Sequence, residues 1–280
     1  MSGQNSNILD RILENKRREV DEARARVPLE DLKKAARDLP RPRNFYAAIA
    51  ARPPRGIHII AEIKKRSPSA GLIREDFDPV RIAGTYYENG ASALSVLTDK
   101  PYFDGRLEYV QQVKHVVPIP VLRKDFIVDE YQIYESRVAG ADAILLIADV
   151  LNPREMLDML ILASELYLTS IIEVHEADTV MKVRSVVGFP HERYSILGIN
   201  NRDLKTQTTD LGTTGRIADM IEDETMFISE SGIRSREDVE RMIRLGARGI
   251  LIGETLMKSP DIAGKMNELF PVSVGRQESE

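Results

Sequence analysis

The chain has 280 residues, room for one large domain or two small ones, and its 42% hydrophobic and 30% charged residues are an ordinary globular balance. A formal charge of −5, from 44 acidic against 39 basic residues, gives no reason to expect a nucleic-acid partner, and the absence of cysteine excludes disulfides and thiolate metal sites. No apolar run reaches the roughly 18 residues of a membrane span, and Met1 to Asn7 are polar rather than signal-like, so no membrane partner and a cytoplasmic location are expected.

Ile8, Leu9, Ile12 and Leu13 recur at helical spacing and lead into a charged stretch, Glu14 to Arg26, that stops at Pro28. Leu29 to Leu39 reads as a second helix ended by Pro40-Arg41-Pro42, and Phe45 to Ala51 as a third before the break Arg52-Pro53-Pro54-Arg55-Gly56. The Lys16-Arg17-Arg18 run reads as a solvated helix face. Residues 1–56 are thus expected to be a helical extension packed on the domain that follows.

From residue 57 strand and helix alternate eight times. The expected strands are Ile57–Lys64, Ala93–Leu97, Val121–Lys124, Ala143–Ile147, Ser170–Val174, Ser195–Ile199, Met226–Ser229 and Gly249–Ile252, each short, apolar and bounded by turn signals. Asp78-Pro79, Asn152-Pro153 and Ser259-Pro260 each set a capping side chain before a proline suited to a first helical turn, and Ser235-x-x-Asp238 has the form of a capping box. Gly90-Ala91, Gly140-Ala141 and Gly246-Ala247 each close a helix and open a similar apolar run. Eight βα units in residues 57–270 suit an α/β fold of the (β/α)8 barrel type; an open doubly wound sheet is the competitor, but no Gly-x-Gly-x-x-Gly turn follows the first strand. Residues 271–280 read as a flexible tail.

A barrel puts its chemistry at the C-terminal ends of its strands. Glu62 and Lys64 end the first strand, Lys124 the third, Glu173 the fifth and Asn200 the sixth, each breaking an apolar run at the same end. Glu62 and Lys64 share a parity with Ile60, so all three leave the same face. Buried charges of this kind need partners or a task. The turns Ser231-Gly232 and Gly253-Glu254, after the seventh and eighth strands, suit a phosphate held by backbone N–H groups, with the Glu254 side chain expected to turn away.

Five segments carry a family resemblance: Ala61-Glu62-Ile63-Lys64-Lys65-Arg66-Ser67-Pro68-Ser69; Leu94 to Asp99 with Tyr102-Phe103; Leu122 to Ile127; Gly198 to Leu204; and Ser229 to Ile233. Together, and in this order, they resemble the indole-3-glycerol phosphate synthases of tryptophan biosynthesis. Ala70 stands where many of that family carry lysine, and Glu254 where some carry serine. The resemblance implies a phosphorylated small-molecule substrate, 1-(2-carboxyphenylamino)-1-deoxyribulose 5-phosphate, and a ring closure losing carbon dioxide and water. In such chemistry Lys124 and Lys64 suit general acids and Glu62 or Glu173 a base, with Asn200 in the catalytic group. Asn200 and Arg202 suit hydroxyl and carboxylate groups; Phe103, Phe126 and Leu145 suit the walls of an aromatic ring. Ser67, Ser231, Gly232, Gly253 and Glu254 complete the substrate-binding set.

No metal or organic cofactor is called for: His58, His115, His175 and His191 are scattered, with no His-Glu-x-x-His pair. His175, just past the fifth strand, is alone in lying near the mouth and reads as a surface or supporting side chain. A phosphoribosylanthranilate isomerase-like barrel would be expected to use cysteine, which the chain lacks. A non-catalytic phosphate-binding barrel would have no need of the two lysines and two glutamates. A monomer or weak homodimer is expected.

Overall fold

The computed structural model describes residues 7–187, 194–221 and 226–271; His191 and most of the expected tail, 272–280, lie outside the described residues. Eight parallel strands close into a barrel: β1 (His58–Ile63), β2 (Ala93–Leu97), β3 (Val121–Lys124), β4 (Ala143–Ile147), β5 (Thr169–Val174), β6 (Ser195–Asn200), β7 (Phe227–Glu230) and β8 (Gly249–Ile252). Each strand pairs with its sequence neighbours, and β8 returns to β1 with Leu251 opposite Ile60. The strands read as apolar on both faces because one face fills the barrel and the other lies under helices. No helix among the described residues is long and apolar enough to cross a membrane.

The barrel interior is built in layers. Ile60, Leu122, Ile171 and Ile228, from the four odd strands, belong to one buried apolar cluster. Two residues further along the same strands, on the same face, stand Glu62, Lys124, Glu173 and Glu230. The topmost odd-strand layer is therefore wholly ionisable, three carboxylates and one ammonium resting on an apolar floor.

The outer helices follow their capping signals. Asp78 accepts from Val80 and Arg81 N–H, Asn152 and Glu155 form a reciprocal capping box, and Ser235 does the same with Asp238. Gly90, Gly140 and Gly246 take left-handed φ values of 89°, 87° and 84° after their helices. One cap differs from expectation: the last helix begins at Ile262 and is capped by Asp261, not Ser259, because the Asp261 carboxylate accepts from Gly264 N–H at 2.9 Å.

Among the described residues three helices precede the barrel, α1 (Ile8–Arg26), α2 (Leu29–Arg37) and α3 (Phe45–Ala50). The buried Phe45 and Ile49 of α3 join the interior cluster from the strand N-terminal side, where Tyr46 N–H donates to Thr169 Oγ1 and the Arg248 guanidinium donates to Ile49, Ala50 and Ala51 carbonyls. Helix α1 lies at the opposite end, with Leu9 and Ile12 in the same cluster. One expectation is corrected here. Arg17 and Arg18 are solvated, but Lys16 is only 4% exposed and its ammonium sits 3.0 Å from Asp99, 2.9 Å from Asp125 and 2.7 Å from Glu19. At the helical period, Lys16 shares the inward face of Leu9, Ile12 and Val20, so the charge turns in where two carboxylates await it.

Candidate active site

The C-terminal end of the barrel opens into a cavity of about 500 Å³, a size suited to a small metabolite. All fourteen expected site residues line it: Glu62, Lys64, Ser67, Phe103, Lys124, Phe126, Leu145, Glu173, Asn200, Arg202, Ser231, Gly232, Gly253 and Glu254. At its base the Lys124 ammonium donates to Glu173 Oε2 at 2.5 Å and Glu230 Oε2 at 2.9 Å. Beside them Lys64 Nζ donates to Glu62 Oε1 at 2.5 Å.

Burial opposes the charges of Lys124, Glu173 and Glu230, so partners decide their state. Desolvation pulls Lys124 down, but Glu173, Glu230 and Glu62 more than offset it and hold the ammonium far above the usual lysine range. Burial likewise pushes Glu173 up, yet Lys124 and His175 hold its carboxyl well below the usual range. Glu230 goes the other way: burial, reinforced by the charge of Glu173 and only partly opposed by Lys124, pushes it up to about 7. Two carboxylates compete for one ammonium, and the competition falls on Glu230, whose proton is held up to near neutrality while Glu173 stays ionised.

Glycine makes room for this layer. A Cβ on Gly198 of β6 would collide with Glu230 Oε1, and one on Gly253 would lie 2.5 Å from Glu62 Oε1 and 2.9 Å from its Cβ. Side chains at both even-strand positions would displace the neighbouring carboxylates.

The rim carries further cations. Arg202 donates to Glu254 Oε2 at 2.8 Å and to Ser69 Oγ at 3.0 Å, and Lys258 donates to Glu254 Oε1 at 2.7 Å. Burial opposes ionisation of Glu254, but Lys258 and Arg202 hold it down to about 2. Its carboxylate thus faces two cations, which answers how an acid can sit at this turn. Asn200 Oδ1 accepts from Arg202 N–H at 3.0 Å and so ties the end of β6 to the loop bearing the guanidinium. Ser67 Oγ accepts from Ala70 N–H at 3.2 Å and shapes the loop after β1. Ser231 and Gly232 both take left-handed φ, 65° and 84°, turning the backbone sharply after β7.

The apolar side of the cavity pairs Phe103 and Phe126, ring centroids 6.2 Å apart, with Leu145 and with Leu9 and Ile12 of α1. Lining residues that escaped the sequence reading include Glu230, Lys258, Leu9 and Ile12. Glu230 carried the same signal as Glu173, a carboxylate ending an apolar run, but the expected seventh strand stopped one residue short of it. Leu9 and Ile12 carried only a helical period, which says that they are buried and not against what.

His58 and His115 stand outside the cavity lining: His58 bridges Ser92 Oγ and the Ala51 carbonyl, and His115 contacts its own helix at Gln111. His175 stands behind Glu173, its Nδ1 2.7 Å from Asp149 Oδ2 and its Nε2 3.3 Å from Glu173 Oε1.

Fold and site together define a (β/α)8-barrel enzyme with its polar groups gathered at the C-terminal mouth. The model of the indole-3-glycerol phosphate synthase family matches residues 9–269. An indole-3-glycerol phosphate synthase of Rhodopirellula baltica is 47% identical over 255 residues, covering 91% of this chain and 95% of that one. Its counterpart in Roseiflexus castenholzii is 42% identical over 270 residues, covering 94% and 97%. The chain belongs to the indole-3-glycerol phosphate synthase family. Among solved structures, 3-hexulose-6-phosphate synthase from Salmonella typhimurium superposes with a TM-score of 0.61 at 12% identity, covering 77% of this chain and 98% of that one, a likeness of fold alone.

Proposed function

We propose that this cavity converts 1-(2-carboxyphenylamino)-1-deoxyribulose 5-phosphate into indole-3-glycerol phosphate, and that Lys124, between two carboxylates, is the acid that starts the reaction. As the carboxylated ring carbon attacks the sugar ketone, negative charge grows on the ketone oxygen. An alkoxide is a stronger base than an amine, so even a strongly held lysine proton moves to it. Carbon dioxide then leaves and restores the aromatic ring. Lys64 protonates the departing hydroxyl, and a carboxylate removes a proton from the former C1 of the sugar to complete the indole.

Glu173 takes that last role in our reading. Once Lys124 has given up its proton, the charge that held Glu173 so low is gone, and its affinity for a proton rises when a base is required. Glu62 stays with Lys64. Arg202 faces the substrate carboxylate, the turns at Ser231-Gly232 and Gly253-Glu254 take the phosphate, and Phe103, Phe126 and Leu145 hold the ring. The reaction belongs to the tryptophan pathway, with the enzyme in the cytoplasm as a monomer or weak homodimer.

The observation that carries the proposal is the Lys124 ammonium held at 2.5 and 2.9 Å from two buried glutamates in the cavity base. Purified protein incubated with the substrate is expected to develop indole fluorescence, and Lys124→Ala to lose about 10²-fold or more in kcat while keeping its far-ultraviolet dichroism. Near-normal turnover in folded Lys124→Ala removes the residue from the mechanism.

A further inference from the structure

Beyond the groups that face the substrate, one buried pair is not used by the reaction as proposed. His175 follows β5 directly and stands between two carboxylates, Asp149 from the loop after β4 and Glu173 from β5 itself. Asp149 is fixed in turn by Thr179 Oγ1, which donates to its Oδ1 at 2.7 Å from the first turn of the helix Ala177–Val187. The side chain of His175 is 7% exposed.

A neutral imidazole has one N–H and one lone pair, so between two carboxylates it would set a lone pair against an anion. Only the doubly protonated ring suits both neighbours. The Nδ1 contact at 2.7 Å is a strong charge-assisted hydrogen bond, whereas the 3.3 Å Nε2 contact is an ion pair off the best hydrogen-bond line. Burial works against the cation, but the two acids outweigh it.

From this geometry we infer that His175, anchored by Asp149, is a positioning residue that keeps Glu173 ionised and aimed at the cavity. The inference rests on Glu173 being the base. The charge count explains the effect. With His175 charged, two cations, Lys124 and His175, face the three carboxylates Asp149, Glu173 and Glu230; without it, one ammonium faces all three and the Glu173–Glu230 pair retains a proton to higher pH. A further charged group, Asp203 in the loop after β6, feels the charge of His175 and favours the imidazolium.

The test is His175→Gln, compared with wild type across pH. The expected result is a fall of about tenfold in kcat, a change in KM of less than about threefold, and an acid limb moved up by about one pH unit. A profile that coincides with wild type overturns the role. Imidazole signals in ¹⁵N-edited spectra, with His175 identified by its loss in the variant, are expected to titrate at about 9 in wild type. A midpoint at the ordinary 6.5 also overturns it. Should His175→Gln fail to fold, Asp149→Asn keeps the ring and removes its anchor. It is expected to lower the His175 midpoint and to move the acid limb up, as in His175→Gln; an unmoved limb counts against the proposal. Glu173→Gln separates the two readings. Retained turnover there sinks the base assignment, whereas lost turnover beside an unmoved His175→Gln profile sinks only the positioning role.

Discussion

At the scale of single residues, the floor of the cavity sets three carboxylates around one ammonium. Glu230 bears the strain of that arrangement. Its folded-state proton affinity, about 7, exceeds the ordinary 4.5, so between those values the folded protein binds more protons than the unfolded chain. Stability attributable to Glu230 therefore declines as pH rises from 4.5 through about 7. Glu230→Gln removes this penalty and is expected to melt higher than wild type above neutrality, while losing about 10²-fold in turnover because Lys124 is left with one carboxylate. A variant with lower melting temperature and full activity refutes both halves. Gly253→Ala tests the space beneath Glu62: with 2.5 Å between the added Cβ and Oε1 the carboxylate must leave Lys64, and with 2.9 Å to the Glu62 Cβ the backbone must shift as well, so turnover is expected to drop at least tenfold and the melting temperature to fall.

At the scale of elements, helix α1 is held over the mouth by one buried cation. Lys16 meets Asp125 at 2.9 Å; its 3.0 Å approach to Asp99 is an ion pair without good hydrogen-bond alignment. Asp125 is also fixed by Thr98 Oγ1 at 2.5 Å and Arg123 at 3.1 Å, so it cannot follow the helix if α1 moves. Burial raises Asp99 and Lys16 opposes this, whereas Lys16 and Arg123 hold Asp125 well below the usual range. Lys16→Met leaves two buried carboxylates short of a partner. It is expected to cost about 3–5 kcal/mol in urea unfolding and to raise KM, since Leu9 and Ile12 wall the cavity from the same helix. Unchanged stability and KM would show that α1 is held by its apolar face alone. At the turn after β7, Gly232→Ala combines a left-handed φ of 84° with a Cβ 2.8 Å from Thr209 Cγ2. About 1–2 kcal/mol of destabilisation and a raised KM are expected.

At the scale of the whole molecule, the buried acids and His175 together predict how stability varies with pH. Glu173, held low, contributes stability that is present above about 4.5 and lost as pH falls. His175, held up to about 9, contributes stability that is complete below 6.5 and lost as pH rises through 9. With the Glu230 penalty added, the melting temperature is expected to peak on the mildly acidic side of neutrality and fall toward pH 9. That fall should be shallower in His175→Gln. A curve that climbs through this range contradicts the assigned shifts.

The barrel was legible in the sequence because each βα unit is local. An apolar run as short as Ala143–Ile147 followed by Asn152-Pro153 states strand, turn and helix without reference to anything distant. The same locality let Glu62, Lys124 and Glu173 be grouped, since closing parallel strands brings their C-terminal ends together whatever the details. What only the tertiary structure decided is which groups touch. That Lys124 lies between Glu173 and Glu230, that Gly198 and Gly253 make space for the carboxylates of Glu230 and Glu62, and that His175 backs Glu173 all depend on barrel closure and register. The placement of α1 over the mouth and α3 at the base was likewise beyond reach. A helical period records which face of a segment avoids water, and a lysine such as Lys16 can turn inward only because partners over eighty residues away wait on the other surface.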